Sequence, residues 1–185
     1  VNSVDKYFAI AKFRFGCELK NRERILAKQF NIRYLDAVKE EGAKGLFEQN
    51  VVFDLYQTLF QLSETGEVQY FFDLKALFFE NITRIRKDDQ LTLFLSGLNF
   101  PIQQINRGNE SFIQETLDWY KFGLAQALLI SEGEISEATF GNIVSLACHT
   151  SDFEWAKGFI NDFSKYLKQD TREDVKAHNL GLVLF

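Results

Sequence analysis

Apolar residues along this chain recur at spacings of three and four, which is the period of helices that bury one face. Sustained alternation of apolar and polar residues, which would predict strands, is scarce. The sequence contains a single Pro, so few positions are barred from helical structure. The pattern therefore predicts an all-α protein of about nine helices.

The N-terminal segment carries an apolar stripe at helical spacing. It comprises Val4, Phe8, Ala11 and Phe15, and it predicts a first helix that turns this face to the core. We expect a second helix over residues 21–38. The stretch KEEGAKG, residues 39–45, is predicted to end it.

The middle of the chain predicts four further helices, each followed by a turn. The third spans residues 47–62 and ends before Gly66. The fourth spans residues 68–85, and the fifth, residues 91–106, contains Pro101, which should kink or split it. The sixth runs to residue 130. The stripe of the fourth helix is long and regular, with Phe71, Leu74, Phe78, Ile82 and Ile85 on one face.

The C-terminal part predicts three more helices. The seventh spans residues 138–149. Ser151 and Glu154 have the spacing of a capping box, which predicts that the eighth helix starts there. Thr171 and the acidic residues after it open the ninth.

Turns separate these helices at intervals that make each helical hairpin about 37–45 residues long, within the range of helical repeats. Consecutive helices joined by short turns lie antiparallel. Several helices are apolar on two faces, and the chain holds 20 Phe residues, as expected for hairpins that cover one another in a stack. The pattern favours one helical-repeat domain over residues 1–185, with a closed globular bundle as the alternative.

Two stretches near the C-terminus form a recognisable pair. Asn-Ile-Val-Ser-Leu-Ala at 142–147 is followed after a turn by Asp-Phe-Glu-Trp-Ala at 152–156, and Asn-Leu-Gly recurs at 179–181. This pair resembles a tetratricopeptide repeat, in which the small Ala156 lets the two helices approach closely. Val144 stands where that family usually has Gly. The stretches at 105–109 and 142–147 are also similar to bacterial helical-repeat proteins.

The resemblance implies an α-solenoid, a right-handed superhelix of stacked antiparallel hairpins. Residues 1–44 would form the first hairpin and 46–135 diverged hairpins. Residues 136–185 would form a tetratricopeptide-like unit and the start of the next, so we expect the chain to be part of a longer one.

The resemblance also implies which residues contact a partner. The first helix of each tetratricopeptide hairpin lines a concave groove where an Asn binds the backbone or terminal carboxylate of a peptide. Carried over, this indicates Asn142 and Asn179, with His149 and His178 nearby. The alternative is that both Asn side chains bond carbonyls of neighbouring helices.

The charge of the chain bears on nucleic-acid binding. A formal net charge of -5 makes a dedicated nucleic-acid binder unlikely. Residues 12–33 nevertheless hold seven basic residues against two acidic ones. Most such runs are solvated helix faces, but a nucleic-acid-binding repeat that uses this patch is the alternative function. Its candidate contacts are Arg14, Lys20, Arg22 and Arg24.

The sequence offers little catalytic chemistry. Cys148 and His149 are neighbours on a predicted helix, so their side chains diverge by about 100°. Two Cys and two His in the whole chain do not make a zinc motif. We therefore expect no catalytic, cofactor or metal site, and a non-catalytic scaffold that binds a protein or peptide.

The remaining features concern the compartment. No apolar run approaches the roughly 18 residues that a membrane helix needs, so we expect no membrane insertion. The two cysteines, Cys17 and Cys148, are far apart in sequence and do not resemble a disulfide framework. A reducing, cytoplasmic compartment is the prediction.

Overall fold

The computed structural model describes residues 3–26, 33–43 and 50–184. Within these ranges the chain is helical and contains no strand, and Ser131 and Glu134 form one isolated bridge. The all-α prediction is therefore confirmed for the described part of the chain. The helices are α1 Ser3–Leu26, α2 Leu35–Ala43, α3 Val51–Thr65, α4 Val68–Asn81, α5 Lys87–Asn106, α6 Phe112–Ala125, α7 Glu137–His149, α8 Phe153–Phe163 and α9 Arg172–Leu184, with short 3-10 turns at Ile82–Arg84 and Ser164–Tyr166.

The chain divides into two compact units, Val1–Gly97 and Leu98–Phe185. In the first unit α3 packs against both α1 and α4, and α1 also contacts α2. Phe13 of α1 is fully buried, and its ring meets those of Phe53 and Phe60 at centroid distances of 5.3 and 5.8 Å. These aromatic contacts centre the core of the first unit on the interface between α1 and α3.

The predicted core face of α1 is wrong. Val4, Phe8 and Phe15 are 69%, 47% and 50% exposed. The buried face is instead formed by Ala9, Phe13, Gly16 and Cys17. This face combines one large ring with three small residues, which lets α3 approach closely around Phe13.

The predicted limits of the first two helices also need correction. The structure continues α1 to Leu26, whereas a separate helix was expected from residue 21. The second helix, α2, begins only at Leu35 and runs through the predicted break to Ala43. The remainder of that break, residues 44 and 45, lies outside the described residues.

The middle of the first unit agrees with the sequence pattern. Gly66 ends α3 in the left-handed conformation, with φ of 71°, and its N–H bonds the carbonyl of Leu62. All five residues of the predicted stripe are buried, but α4 ends at Asn81, so Ile82 lies in the 3-10 turn and Ile85 directly after it.

Pro101 belongs to the second unit and lies inside α5, which is one continuous helix, so the expected split does not occur.

The second unit is built around α7, which contacts α6, α8 and α9. Phe140 of α7 is fully buried, and its ring lies 4.7 Å from that of Phe159 on α8. Trp155 and Phe163 stack on either side of Phe159. This aromatic row, together with the fully buried Ala156, fixes α8 against α7.

The turn into α8 differs from the predicted capping box. Ser151 adopts the left-handed conformation, with φ of 59°, and Asp152 is the residue that precedes the helix. The Asp152 carboxylate lies 2.6 Å from the ammonium of Lys121, which also sits over the ring of Trp155. Ser151 therefore belongs to the tight turn between α7 and α8. It lies one residue before the N-cap position, and its hydroxyl does not cap the helix.

None of the helices in the described ranges combines the length and the apolar character that crossing a bilayer requires.

The close packing of α7 and α8 generates a stability prediction. We expect Ala156→Leu to lower the free energy of unfolding of the second unit by about 1–3 kcal/mol, because the added atoms overfill a closed interface. Urea unfolding followed by tryptophan fluorescence measures this, since both tryptophans, Trp119 and Trp155, lie in this unit. The matched control is Ala177→Leu at an exposed position of α9, which should change it by less than about 0.5 kcal/mol. Equal effects of the two substitutions would contradict the close approach.

The core of the first unit generates a prediction on alkaline stability. Burial raises the pKa of Cys17 above its ordinary value of 9.0, and the charge of Glu18 adds to this. Burial, a hydrogen bond and the charge of Asp89 likewise raise the pKa of Tyr56 above 10.0. The folded chain therefore keeps both protons at a pH where the unfolded chain loses them. Their stabilisation is complete below about pH 9 and declines above it, by up to about 1.4 kcal/mol per pH unit and group.

Urea unfolding followed by circular dichroism between pH 8 and about pH 11 tests this expectation. Tyr56→Phe should flatten the alkaline decline above pH 10.0, and Cys17→Ala should flatten it from pH 9.0. If the double variant loses stability with pH as steeply as the wild type does, other groups cause the decline.

Candidate functional site

A cleft of about 500 Å³ lies between α7 and α9 in the second unit. Its volume falls within the usual range for ligand sites in proteins, roughly 300–1,000 Å³. Two helices supply its walls, α7 through its first two turns and α9 along most of its length. The lining residues are Glu137, Gly141, Asp174, Val175, His178, Asn179 and Leu182.

Asn179 is the buried polar residue of this cleft. Its side chain is only 3% exposed, and its Nδ2 donates a hydrogen bond of 2.8 Å to the carbonyl of Val175. Within the described residues its Oδ1 has no hydrogen-bond partner, although it is shielded from solvent. A buried amide oxygen without a partner is unusual, because most buried polar atoms are paired.

Gly141 faces this oxygen from α7. A Cβ placed on Gly141 would lie 3.9 Å from Oδ1 of Asn179, which is an ordinary van der Waals distance. The glycine therefore leaves the wall opposite the oxygen without a side chain. A glycine inside a helix costs roughly 0.5–1 kcal/mol relative to Ala, so this position lowers helix stability while keeping the cleft open.

The rim of the cleft carries exposed polar groups. Ser136 caps α7 by accepting a hydrogen bond from the N–H of Thr139, and this places Glu137 in the first turn. The Glu137 carboxylate accepts a hydrogen bond from the hydroxyl of Thr171, next to the start of α9. Asp174 and His178 lie one turn apart on α9 and are exposed. No Lys or Arg is among the residues that line the cleft.

The structure thus brings two of the four predicted groove residues to the cleft, His178 and Asn179. The other two lie elsewhere on α7. Asn142 is exposed, and burial raises the pKa of Tyr120 on α6 while an interaction of the Tyr120 hydroxyl with Asn142 opposes this rise. His149 places Nδ1 2.8 Å from the carbonyl of Ser145, one turn back on its own helix.

These contacts also bear on the alternative interpretation of the two Asn residues. Asn179 bonds a carbonyl of its own helix, and Asn142 interacts with a tyrosine side chain. Neither of these contacts runs to a carbonyl of a neighbouring helix. The nitrogen of the Asn179 side chain makes a bond within its own helix. Its oxygen has no partner among the described residues and lies beside the cleft.

In the described part of the chain, the two cysteines are not bonded to one another. Both are free thiols. The Cys148 thiol donates to the carbonyl of Leu182 at 3.6 Å, and burial raises its pKa, which disfavours the reactive thiolate. Among the described His, Cys, Asp and Glu residues, no three come close enough together to hold a metal ion.

The basic patch predicted around α1 is partly neutralised. Arg14 Nη1 lies 3.8 Å from Asp89 Oδ1, and Lys20 Nζ lies 2.9 Å from Glu23 Oε2. Arg14 and Lys20 are also six positions apart, which turns them about 120° from one another around the helix. Arg22 is exposed, and the side chain of Arg24 lies outside the described part of the chain.

Arg14 lines a second cleft, of about 410 Å³, in the first unit. Arg84 and Arg86 lie there with it, but so do Asp88 and Asp89. Tyr56 donates a hydrogen bond of 2.7 Å to Asp89, which ties this carboxylate to the core. The mixed charges make this cleft a poor match for a polyanion.

Sequence reasoning missed five of the seven residues that line the α7/α9 cleft, namely Glu137, Gly141, Asp174, Val175 and Leu182. The available signal was Gly141 itself, because a glycine in the middle of a helix often marks a packing or functional constraint. The two carboxylates carried only the signal of acidic residues in a first helical turn, which is common to many helices.

Comparisons with family models, curated protein sequences and solved structures found no match to this chain.

Proposed function

We propose that this chain is a non-catalytic helical-repeat scaffold that binds a peptide or protein segment in the cleft between α7 and α9. The observation that carries the proposal is the cleft itself. It combines a ligand-sized volume, an apolar wall that includes Val175 and Leu182, and a few convergent polar groups. This is the usual composition of a binding site rather than of a packing gap.

The arrangement of the helices supports the repeat architecture. α7 packs against α8 as the other half of a hairpin and also contacts α9. Stacked repeats have this pattern, because each hairpin covers the apolar face of its neighbour. The resemblance of residues 136–185 to a tetratricopeptide unit agrees with it, and a right-handed superhelix is part of the proposal.

The chemistry of the ionisable groups supports a non-catalytic role. The Cys148 thiol is bonded to a backbone carbonyl and has a raised pKa. A nucleophile requires the opposite, a lowered pKa or an adjacent base. The free state of Cys17 and Cys148 suits a reducing compartment such as the cytoplasm. Nucleic-acid binding through residues 12–33 has weaker support, because Arg14 and Lys20 already have acidic neighbours.

Gly141→Leu is the direct test of the proposal. The new side chain would project into the cleft, since a Cβ on Gly141 would already lie 3.9 Å from Oδ1 of Asn179, and both residues line the cleft. A displayed library of random peptides is selected on the wild-type protein, and the enriched peptides are measured by fluorescence polarisation. We expect Gly141→Leu to weaken their binding by roughly tenfold or more, which is the loss of about 1.4 kcal/mol.

The matched control is Gly158→Leu on α8. Gly158 is exposed and has no heavy atom within 4 Å of a built Cβ, so the same change there fills no cleft. Both substitutions replace a helical glycine and should stabilise their helices similarly. If Gly141→Leu does not fold, Leu182→Trp blocks the cleft from an exposed position of α9. Failure to enrich any binding peptide, or unchanged binding by the blocked variants, would contradict the proposal.

A further inference from the structure

We infer that the cleft between α7 and α9 binds a cationic side chain, a lysine ammonium or an arginine guanidinium, of the segment that docks there. The inference rests on the proposed function and adds the chemistry of the ligand. It follows from the hydrogen-bonding groups of the cleft, from the orientation of one buried amide and from the apolar surface around it.

The hydrogen-bonding groups of the cleft are mainly acceptors. Glu137 and Asp174 contribute carboxylates from the first turns of α7 and α9, and Asn179 contributes an amide oxygen. The imidazole of His178, which also lines the cleft, can both accept and donate. The lining residues include neither Lys nor Arg. Two carboxylates at the rim attract a cation and repel the terminal carboxylate of a peptide. The ligand group must therefore carry N–H donors and positive charge.

The amide of Asn179 is held in one orientation. Its Nδ2 donates to the carbonyl of Val175, and a rotation of the amide by 180° would place two oxygens against each other. The group left without a partner is therefore the oxygen, Oδ1, and not the nitrogen. An unpaired buried acceptor gains a hydrogen bond from a donor that enters the cleft, such as an N–H group of a ligand.

Access to this oxygen runs past Gly141. Because Oδ1 is shielded from solvent, a ligand must enter between α7 and α9 to reach it. Gly141 presents no side chain on the α7 side of that path. A long, narrow side chain with a terminal donor suits such an entry better than a broad ring.

The apolar residues of the cleft match the rest of such a side chain. Val175 and Leu182 lie on α9, before and after Asn179, and both line the cleft. Lysine and arginine bury their methylene stems along apolar surface while the charged end meets polar partners. The cleft thus offers an apolar wall for the stem, carboxylates for the charge and an amide oxygen for one N–H.

The test uses the peptides selected on the wild-type protein. We expect them to share a lysine or arginine, and replacement of that residue by norleucine should weaken binding by roughly tenfold or more, because the stem remains while the donors and charge are lost. Acetylation of the lysine should have the same effect. The side-chain amide signals of Asn179, followed by nuclear magnetic resonance, should shift with the basic peptide and not with its norleucine form.

Two protein variants distinguish a direct contact between the ligand and a cleft carboxylate from a general effect of negative charge on this helix. Asp174→Asn should weaken binding of the basic peptide by roughly 1.5- to 5-fold, as expected for a partly solvated ion pair. The matched control is Glu173→Gln, the preceding exposed carboxylate in the same helical turn, which does not line the cleft. It should leave the affinity nearly unchanged.

The outcomes distinguish this inference from the proposed function. If norleucine peptides bind as well as basic ones while Gly141→Leu still blocks binding, the cleft is a binding site and the inference of a cationic ligand is wrong. Equal losses in Asp174→Asn and Glu173→Gln would also overturn the inference, because charge would then act without contact. If Gly141→Leu leaves all binding intact, the proposed function itself is wrong.

Discussion

Close approach of helices around buried aromatic rings is the constraint on which each unit of this protein depends. In the first unit Phe13 is enclosed by Phe53 and Phe60, and small residues surround it on α1. In the second unit Phe140 meets Phe159 beside the fully buried Ala156. Large rings bury much apolar area, but they fit only where neighbouring positions are small enough for the backbones to come close.

This constraint also explains where an open space remains. Phe140 of α7 meets Phe159 of α8, and Trp155 and Phe163 stack on Phe159 within α8. Gly141 follows Phe140 in the sequence, has no side chain and lines the cleft between α7 and α9. The face of α7 that carries Phe140 packs against α8, whereas the face that carries Gly141 borders the cleft.

How much the sequence can predict follows from which interactions are local. The end of α3 at Gly66 and the buried stripe of α4 follow from local rules, and both predictions are confirmed. The buried face of α1 does not, because the helix has apolar residues on several sides and the choice of Phe13 depends on Phe53 and Phe60 of α3. The turn geometry at Ser151 likewise depends on how α8 meets α7.

Prediction of the candidate site meets the same limit, because part of the site depends on long-range packing. The resemblance to a tetratricopeptide unit indicated Asn179 and His178, which line the cleft, but also Asn142 and His149, which do not. One residue step turns a side chain by about 100°, so the rotation of α7 decides whether position 141 or position 142 faces α9. That rotation is fixed by long-range packing, including the contacts of α7 with α6 and α8.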